Sequence, residues 1–441
     1  MQHKTLARFP IGNPRRVWRQ DNFILSICNP GPYGLDVKGE WIERKTRRAV
    51  KTAVDAGFDL IECLWASPEV SREMLRACEA LGAKLCYQNL KRMGGMGTDR
   101  IYNDGDDLKG IIEDLAPWKS LAAIWMWDEP SLPEHLARTR KLTDLCEQLR
   151  PDILPMNVAL PSYGRDYRWD NGEYSAYIDR FMDVIDPAQM MFDYYPIGLR
   201  EHNDTIQLDG SLMWCDLETV RRSAQKHEIP FWFVYQGTKF PFYKHTERFT
   251  FPMVRLMANA AILHGVKALD HYVEFEGFVD PETGGPGYFF EEQKQLNREL
   301  HNLGNTLMAL TCLRVIHDET LLADCPYMEG LRTTMEESEL LTGVLRKRVS
   351  VSEHEDAYGN KYLMVLNRDY DRNTYVQLKL KNPSHVYRVS REDGEERCVH
   401  QNVTSMLLDL SAGDLALYRI QPATEEPFTV EYYLEKEAME G

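Results

Sequence analysis

Short apolar runs and amphipathic segments alternate along the chain from residue 23 to residue 278. In segments such as 43–57 and 71–82, apolar residues recur every three or four positions and a glycine closes the segment, which predicts helices. The apolar runs between these segments predict strands. Eight strands are predicted in this way, over residues 23–30, 58–67, 83–90, 122–130, 152–161, 190–198, 231–240 and 266–278.

Eight strand–helix repeats over this length predict an α/β fold, a (β/α)8 TIM barrel. A doubly wound parallel sheet is the rival architecture, but such sheets often carry a glycine-rich phosphate turn after the first strand. Here that turn reads "CNPGPYGLD" (28–36) and contains no GxGxxG. The pattern therefore favours the barrel.

The pattern changes after the helix predicted over residues 291–310. From about residue 343 onward, short alternating runs such as "KYLMVLNRD" and "LALYRI" are separated by polar turns. Closely spaced alternating strands with turn signals are typical of an antiparallel sandwich. We therefore predict a barrel catalytic domain over residues 1–335 and a small antiparallel β-sandwich domain over residues 343–422.

The composition and the net charge limit which binding partners and which cellular compartment the sequence predicts. The 441 residues carry a net charge of -16, which disfavours nucleic acid and anionic membrane surfaces because both require a basic footprint. No apolar run is long enough to span a membrane, and the first residues lack the apolar core of a signal peptide. Nine irregularly spaced cysteines without CxxC indicate reduced thiols. A cytoplasmic protein is predicted.

Candidate site residues follow from the barrel, because catalytic side chains gather at the C-terminal ends of its strands. The residues found there are aromatic, amide and acidic, with almost no cations. This mixture suits sugar hydroxyls and the flat faces of sugar rings better than phosphates. A glycoside or oligosaccharide substrate is predicted, bound by Trp65, Tyr87, Asn89, Asp128, Asn157, Tyr195, Tyr235, Gln236, Tyr272 and Glu276.

The fourth predicted strand ends in two adjacent acids and a proline, "IWMWDEP" (124–130). Simple alternation places Trp125, Trp127 and Glu129 on one face of the strand and Asp128 on the other. A carboxyl group beside tryptophan loses hydration, which raises its pKa and suits a general acid. The plainer interpretation is a strand end that meets solvent, with Asp128 capping the next helix.

These features resemble the barrel glycoside hydrolases related to clan A. In that clan a Glu at the end of the fourth strand is the acid/base, which corresponds to Glu129 in "WDEP". The runs "KYLMVLNRDYD" and "AGDLALYRI" are similar to the sandwich appended to many such barrels. The resemblance fails at the seventh strand, where the clan has its nucleophilic Glu and this chain has Gln236 in "VYQG". An amide cannot act as a nucleophilic carboxylate.

Either the second catalytic group comes from elsewhere or the clan mechanism does not apply, and Asp193, Glu274 and Glu276 are the candidates for this group. We rank Asp193 first, because it ends an apolar strand and precedes two tyrosines, and Glu274 second. The leading hypothesis is a glycosidase with Glu129 as acid. The alternative is a catalytically silent carbohydrate-binding barrel, suggested by Gln236. The sequence contains no HxH or HExxH motif, so it gives no support to a barrel lyase or a metal hydrolase. Neither a metal nor a cofactor is therefore predicted.

Overall fold

The computed structural model describes residues 10–28, 30, 40–63, 68–88, 106–167, 173–197, 211–240, 249–273, 276–324 and 330–424. Eight parallel strands form its first sheet, and each overlaps a predicted apolar run. Their order is β5-β4-β3-β2-β1-β8-β7-β6, and a bridge from Ala159 to Phe192 joins the two edges. The strands are β1 Ile24–Cys28, β2 Leu60–Cys63, β3 Lys84–Tyr87, β4 Leu121–Asp128, β5 Leu154–Val158, β6 Met190–Tyr194, β7 Phe231–Gln236 and β8 Ala268–Tyr272.

A helix follows every one of these strands, so the predicted (β/α)8 barrel is confirmed. Gly57 and Gly82, beyond the ends of the first two helices, adopt φ values of 85° and 73°, the left-handed conformation common after a helix C-terminus. The helices are α1 Glu40–Asp55, α2 Pro68–Leu81, α3 Asp106–Leu115, α4 Pro133–Leu149, α5 Tyr174–Ile185, α6 Met213–Lys226, α7 Phe251–Leu263 and α8 Phe290–Ala309.

Alternation along the strands separates two apolar layers. One layer fills the barrel interior and includes Cys86, Trp125, Met156 and Trp232. The other lies between the strands and the surrounding helices. Successive side chains therefore face the interior and the helices in turn, as regular alternation requires. This holds for strands β1, β2, β6, β7 and β8.

Strand β4 departs from this alternation. Its pairing with β5 shifts between Trp125 and Trp127, which leaves Met126 as the extra residue of a bulge. Trp125 faces the interior, whereas Trp127 faces the helices and stacks on His135 of α4 with ring centroids 4.9 Å apart. The expectation that both tryptophans share a face was wrong, because a bulge reverses the alternation after it. Asp128 consequently faces the interior.

The second sheet is antiparallel, and its strands run in the order β10-β13-β15-β12-β11-β9, with β14 paired to β13. The long strand β13 pairs with β10 along its first half and with β15 along its second half, after an irregularity in register. The sheet therefore folds around its own apolar core, as the predicted sandwich requires. The strands are β9 Thr311–His317, β10 Leu341–Leu345, β11 Val349–Glu355, β12 Lys361–Asn367, β13 Thr374–Val389, β14 Glu396–Leu410 and β15 Leu415–Pro422.

Strand β9 pairs with β11 of this sheet, although it lies inside the range predicted for the barrel, residues 1–335. The sheet thus takes its first strand from the segment that directly follows α8. The short helix α9, Glu319–Asp324, leads from β9 toward β10. The precise domain limits remain a prediction.

Barrel and second sheet are joined by apolar packing and by hydrogen bonds. Met364, Leu366 and Leu417 belong to the same apolar cluster as the barrel helices. Asn259 of α7 donates to the carbonyl oxygen of Gly413 at 2.8 Å. Gly413 has φ 67°, and a Cβ there would lie 2.5 Å from the carbonyl oxygen of Pro252, so only glycine allows this approach.

None of the helices that the structure describes is both long and apolar enough to cross a membrane.

Candidate active site

Acidic side chains from three strands meet at the C-terminal end of the barrel interior. Asp128 is the last residue of β4 and Glu129 follows it, while Asp193 lies on β6 and Asp270 on β8. Their charges act on one another, which requires close approach inside the barrel. The structure therefore brings together the predicted Asp128, Glu129 and Asp193.

Glu129 has an unusual backbone conformation at this point. Its φ is 54°, in the left-handed region that costs a non-glycine residue roughly 1 kcal/mol. Pro130 follows and is buried, so the chain leaves the strand in a fixed direction. This turn allows Glu129 to reach Asp193, which the alternation of a regular strand would not explain.

The carboxyl groups of Glu129 and Asp193 lie close enough for a hydrogen bond between them to affect both pKa values. Two carboxylates cannot bond in this way unless one of them carries a proton. Burial, and then the charges of Asp193 and Asp128, raise the pKa of Glu129 well above its ordinary value. Burial and the charge of Asp128 raise the pKa of Asp193 to about 7, against the lowering effect of the Tyr195 hydroxyl that donates to it. The neighbouring charges of Asp193 and Asp128 thus favour the protonated form of Glu129.

Three further acidic groups surround this pair or lie beneath it. Burial raises the pKa of Asp128 to about 6. Burial and the charge of Asp193 raise the pKa of Asp270 to about 7, although the Ser26 hydroxyl lowers it. Glu62 of β2 has a pKa well above its usual range, because it is buried beside Asp270. The interior thus holds acids that keep protons near neutral pH.

Cys28 of β1 completes a compact group with Glu62 and Asp270. One potential ligand atom from each of the three residues lies within 4.8 Å of the other two, and all three residues are buried. Burial and the charges of Asp270 and Glu62 raise the pKa of the Cys28 thiol well above its ordinary value. Thiol and carboxylate groups at this spacing could hold a metal ion.

Aromatic rings line one side of the same opening. Tyr195 after β6 and Tyr272 at the end of β8 have ring centroids 4.9 Å apart. Phe240, four residues beyond β7, lies 5.6 Å from the Tyr195 ring and 5.9 Å from the Tyr272 ring. Three neighbouring rings can present a flat surface to the C–H face of a sugar. Two of the three, Tyr195 and Tyr272, were predicted from the sequence.

Three other predicted residues face away from the interior. Tyr87 packs in the helix-side core. Asn157 donates to Thr143 of α4 at 3.4 Å. Tyr235 accepts a hydrogen bond from Gln293 of α8 at 3.1 Å. Each of these three side chains points outward from its strand, toward the helices. The prediction that they contact the substrate was therefore wrong.

Gln236 faces inward, but its amide group is already engaged. Its oxygen accepts from the backbone N–H of Ile197 at 2.9 Å, and its nitrogen donates to the carbonyl oxygens of Ile197 and Thr238 at 3.0 and 3.2 Å. Gln236 is fully buried. Its contacts fix the chain after β6 and do not present a free amide to a sugar.

Glu276 lies apart from this group. It is exposed, and its carboxylate lies 3.7 Å from the ammonium group of Lys239. Trp65, Asn89 and Glu274 lie outside the described residues.

The sequence analysis did not select Glu62, Asp270 and Cys28, which the structure adds to the site. Gln88, directly after β3, is also buried, and neither polar atom of its amide has a hydrogen-bond partner. A signal was present for the first three residues, since Cys28, Glu62 and Asp270 each occupy an inward position of their strand. Counting inward positions along each strand would have found them.

No protein-family model matches the chain, and no curated protein matches its sequence. Solved structures do match. One described as a glycoside hydrolase shares 10% identity over 92% of this chain and 93% of its own, with a TM-score of 0.52. A family 51 α-L-arabinofuranosidase from Bifidobacterium longum shares 10% identity over 94% and 98%, with a TM-score of 0.48. A family 39 glycoside hydrolase from Bacteroides cellulosilyticus WH2 shares 10% identity over 90% and 81%, with a TM-score of 0.47. The first of these shows that a glycoside hydrolase has the same fold as this chain, a barrel followed by an antiparallel domain.

Proposed function

We propose that the protein is a glycoside hydrolase in which Glu129 is the general acid. The hydrogen-bonded pair of Glu129 and Asp193 at the C-terminal end of the barrel carries this proposal. A general acid must hold its proton at the working pH, and the neighbouring charges of Asp193 and Asp128 favour a protonated Glu129. The shared fold of a glycoside hydrolase supports the same function.

The pair also explains how the acid regains its proton. When Glu129 donates its proton to the leaving-group oxygen of a glycoside, Asp193 loses its negative charge in the same step, by bonding to the sugar or by accepting a proton from water. Glu129 regains a proton from the water that hydrolyses the sugar, and the carboxylate charge that returns to Asp193 once the product is released keeps the pKa of Glu129 raised. The pair thus supports both donation and recovery of the proton.

Asp193 is our proposal for the second catalytic carboxylate. Retaining glycosidases separate their acid and nucleophile by roughly 5–5.5 Å, which is wider than a hydrogen bond between two carboxyl groups allows. We propose that bound substrate takes the place of their hydrogen bond, so that the leaving-group oxygen accepts the proton of Glu129. Asp193 is then released to attack the sugar or to activate water.

The surroundings favour a neutral sugar. The charges that raise the pKa values of Glu129, Asp193, Asp270 and Glu62 come from other acids, and among the described residues no cation contributes to lowering them. A uronate or a phosphorylated sugar would meet repulsion here. Sugar hydroxyls can donate to the carboxylates, and the rings of Tyr195, Tyr272 and Phe240 offer an apolar face.

The test is a panel of aryl glycosides and oligosaccharides assayed with the wild type, Glu129→Gln and Glu134→Gln. Glu134 is exposed on α4, so it controls for the same chemical change outside the site. We expect hydrolysis by the wild type and the control, and a turnover lower by about 10²–10⁴ in Glu129→Gln. Leaving groups of low pKa should lose least, since they need no proton.

The silent carbohydrate-binding barrel predicts a different result in the same assay. Sugars would bind, as measured by calorimetry, and no member of the panel would be hydrolysed by any of the three proteins. Equal turnover of an alkyl glycoside by the wild type and Glu129→Gln would instead remove Glu129 from the mechanism.

A cytoplasmic location stays a prediction from cysteine usage. The seven cysteines whose side chains the structure describes are all free thiols, which suits a reducing compartment.

A further inference from the structure

We propose that Cys28, Glu62 and Asp270 form a binding site for a divalent transition-metal ion, for which Zn²⁺ fits the ligand set best. The site lies in the barrel interior, on three adjacent strands, and no spacing motif in the sequence announces it. The proposal does not depend on the glycosidase function, because it concerns the affinity of these three side chains for an ion.

Strand register brings the three residues together. Cys28 pairs with Glu62 across β1 and β2, while Asp270 pairs with Ser26, one inward position below Cys28 on β1. All three side chains therefore point into the barrel from neighbouring strands. Their potential ligand atoms lie within 4.8 Å of one another. Zinc bonds of about 2.0–2.3 Å at tetrahedral angles place two ligand atoms about 3.3–3.8 Å apart, so side-chain rotations that move these atoms by up to about 1–1.5 Å suffice.

The polar atoms at this site lack the partners that burial demands. Asp270 and Glu62 are both 0% exposed. Three of their carboxyl oxygens lack a hydrogen-bond partner of normal geometry, namely both oxygens of Asp270 and Oε1 of Glu62. Buried carboxyl groups without partners are costly, and they are commonly satisfied by pairing or by a metal ion. These atoms are directed toward one another, which is the arrangement a bound cation requires.

Glu62 is also held in the way that metal ligands are held. Its Oε2 accepts a hydrogen bond from Nε1 of Trp125 at 3.1 Å. This bond fixes the orientation of the carboxylate, while Oε1 has no hydrogen-bond partner and is available to an ion. Such outer contacts are typical of metal-binding carboxylates.

The kind of ion follows from the ligands. A thiolate is a soft ligand, which excludes Mg²⁺ and Ca²⁺ as preferred ions and favours Zn²⁺. Three protein ligands leave the fourth position of a tetrahedral zinc site open. Metal binding would displace the protons that Cys28 and the two acids otherwise retain. Two positive charges would also offset much of the repulsion among the acids of the interior.

The test measures metal binding to full-length protein stripped with a chelator. Zn²⁺ affinity is determined by competition titration, and Co²⁺ is used as a probe because a Co²⁺–thiolate bond has a charge-transfer absorption band. The variants are Cys28→Ser and Asp270→Asn. Cys86→Ser is the matched control, since Cys86 is also buried and inward-facing but has the sulfur of Met156 at 3.4 Å as its neighbour.

We expect one Zn²⁺ per chain in the wild type and in Cys86→Ser. Both ligand variants should lose more affinity than the ~10–100-fold typical of changes to outer contacts. The Co²⁺ charge-transfer band should vanish in Cys28→Ser. Circular dichroism of each variant reports whether it folds.

Two results would overturn the proposal. The first is the absence of a Co²⁺–thiolate band in the wild type, a result that no variant is needed to obtain. It would show that the acids of this site hold protons and not a metal ion. The second is folded Cys28→Ser and Asp270→Asn with wild-type Zn²⁺ affinity. Folded Glu129→Gln should bind Zn²⁺ as the wild type does, so failure of the hydrolase proposal leaves this one separately testable.

Discussion

Trp125 on β4 donates a hydrogen bond to Glu62 on β2, spanning the interior past β3 with an Nε1–Oε2 distance of 3.1 Å. The bond exists because the bulge at Met126 begins after Trp125 and leaves this tryptophan facing inward. The same bulge sends Trp127 outward and turns Asp128 toward the other acids. A single extra residue thus sets both the support of Glu62 and the composition of the acidic cluster.

Replacing Trp125 by Phe should destabilise the protein by about 1–3 kcal/mol beyond the loss of ring volume. The reason is that Glu62 loses a buried donor and is left unsatisfied. Urea unfolding measures the effect as a lower midpoint. Trp127→Phe is the control, because Trp127 packs on His135 in the outer layer. Equal destabilisation of the two variants would show that the Trp125 bond contributes nothing.

Replacing Asp193 by Asn should lower the pKa of Glu129. After burial, the charge of Asp193 is the strongest influence that raises this pKa, and an amide removes it. Carboxyl infrared difference spectra recorded across a pH titration report the protonated Glu129. Asp128→Asn should also lower the pKa of Glu129, but by less, because the charge of Asp128 raises this pKa less than the charge of Asp193 does. An unchanged titration in Asp193→Asn would contradict the paired arrangement.

Replacing Gln236 by Glu should impair the protein and should not create activity. The substitution removes the two N–H donors that satisfy Ile197 and Thr238 and places an acid against carbonyl oxygens. We expect a loss of stability above about 2 kcal/mol, seen as a lower denaturation midpoint, together with lower turnover. The control is Gln401→Glu on the exposed surface of β14. A gain of hydrolysis in Gln236→Glu would favour the silent sugar-binding barrel.

Stability should fall as the pH rises from about 4 to about 7. Burial raises the pKa values of Asp193 and Asp270 to about 7 and that of Asp128 to about 6. The folded protein therefore retains protons that the unfolded chain releases near pH 4, and this contribution is lost as pH passes the folded pKa values. Denaturation midpoints across this range measure the slope.

Asp193→Asn should flatten that slope, since it removes one of the groups that titrate in the window. Asp393→Asn should leave it unchanged, because the bond from Arg397 holds the pKa of Asp393 below its usual value. A slope that is the same in Asp193→Asn and the wild type would show that Asp193 does not retain its proton on folding.

Replacing Glu129 by Gly should stabilise the fold while it lowers hydrolysis. Glycine removes the strain of a φ of 54°, worth roughly 1 kcal/mol, and also removes a carboxyl group whose buried Oε2 has no hydrogen-bond partner. Glu228→Gly is the control, because exposed Glu228 has φ 59° but no role in the site. Thermal unfolding should show a larger gain for Glu129→Gly than for Glu228→Gly. A loss of stability at Glu129 would refute the idea that stability is given up there for function.

Apolar runs and helical periodicity were enough to predict all eight barrel strands, because burial on both faces makes parallel strands nearly continuous in apolar residues. The site was harder to predict. Tyr87, Asn157 and Tyr235 were selected by their closeness to strand ends, although their parity directs them to the helices. Glu62 in "LIEC" and Asp270 in "ALDHY" have the inward parity and were overlooked.

Other features could not have been read from one sequence. Nothing in "IWMWDEP" reveals that Met126 is an extra residue, since bulges depend on the partner strand. The role of Gln236 depends on Ile197, which lies beyond the end of another strand. The approach of Cys28 to Asp270 follows from the closing of β8 against β1, which joins distant parts of the chain.

The contact between the barrel helices and the second sheet has a consequence for folding. Met364, Leu366 and Leu417 complete the apolar cluster of the barrel, and Gly413 lies against α7. Neither the barrel nor the second sheet can therefore bury these contact residues on its own. A barrel cut after α8 would expose apolar area normally covered by the sheet, and such area promotes aggregation. The two domains should therefore melt in a single calorimetric transition, and the chain should tolerate insertions between them far less readily than a pair of linked, independent modules.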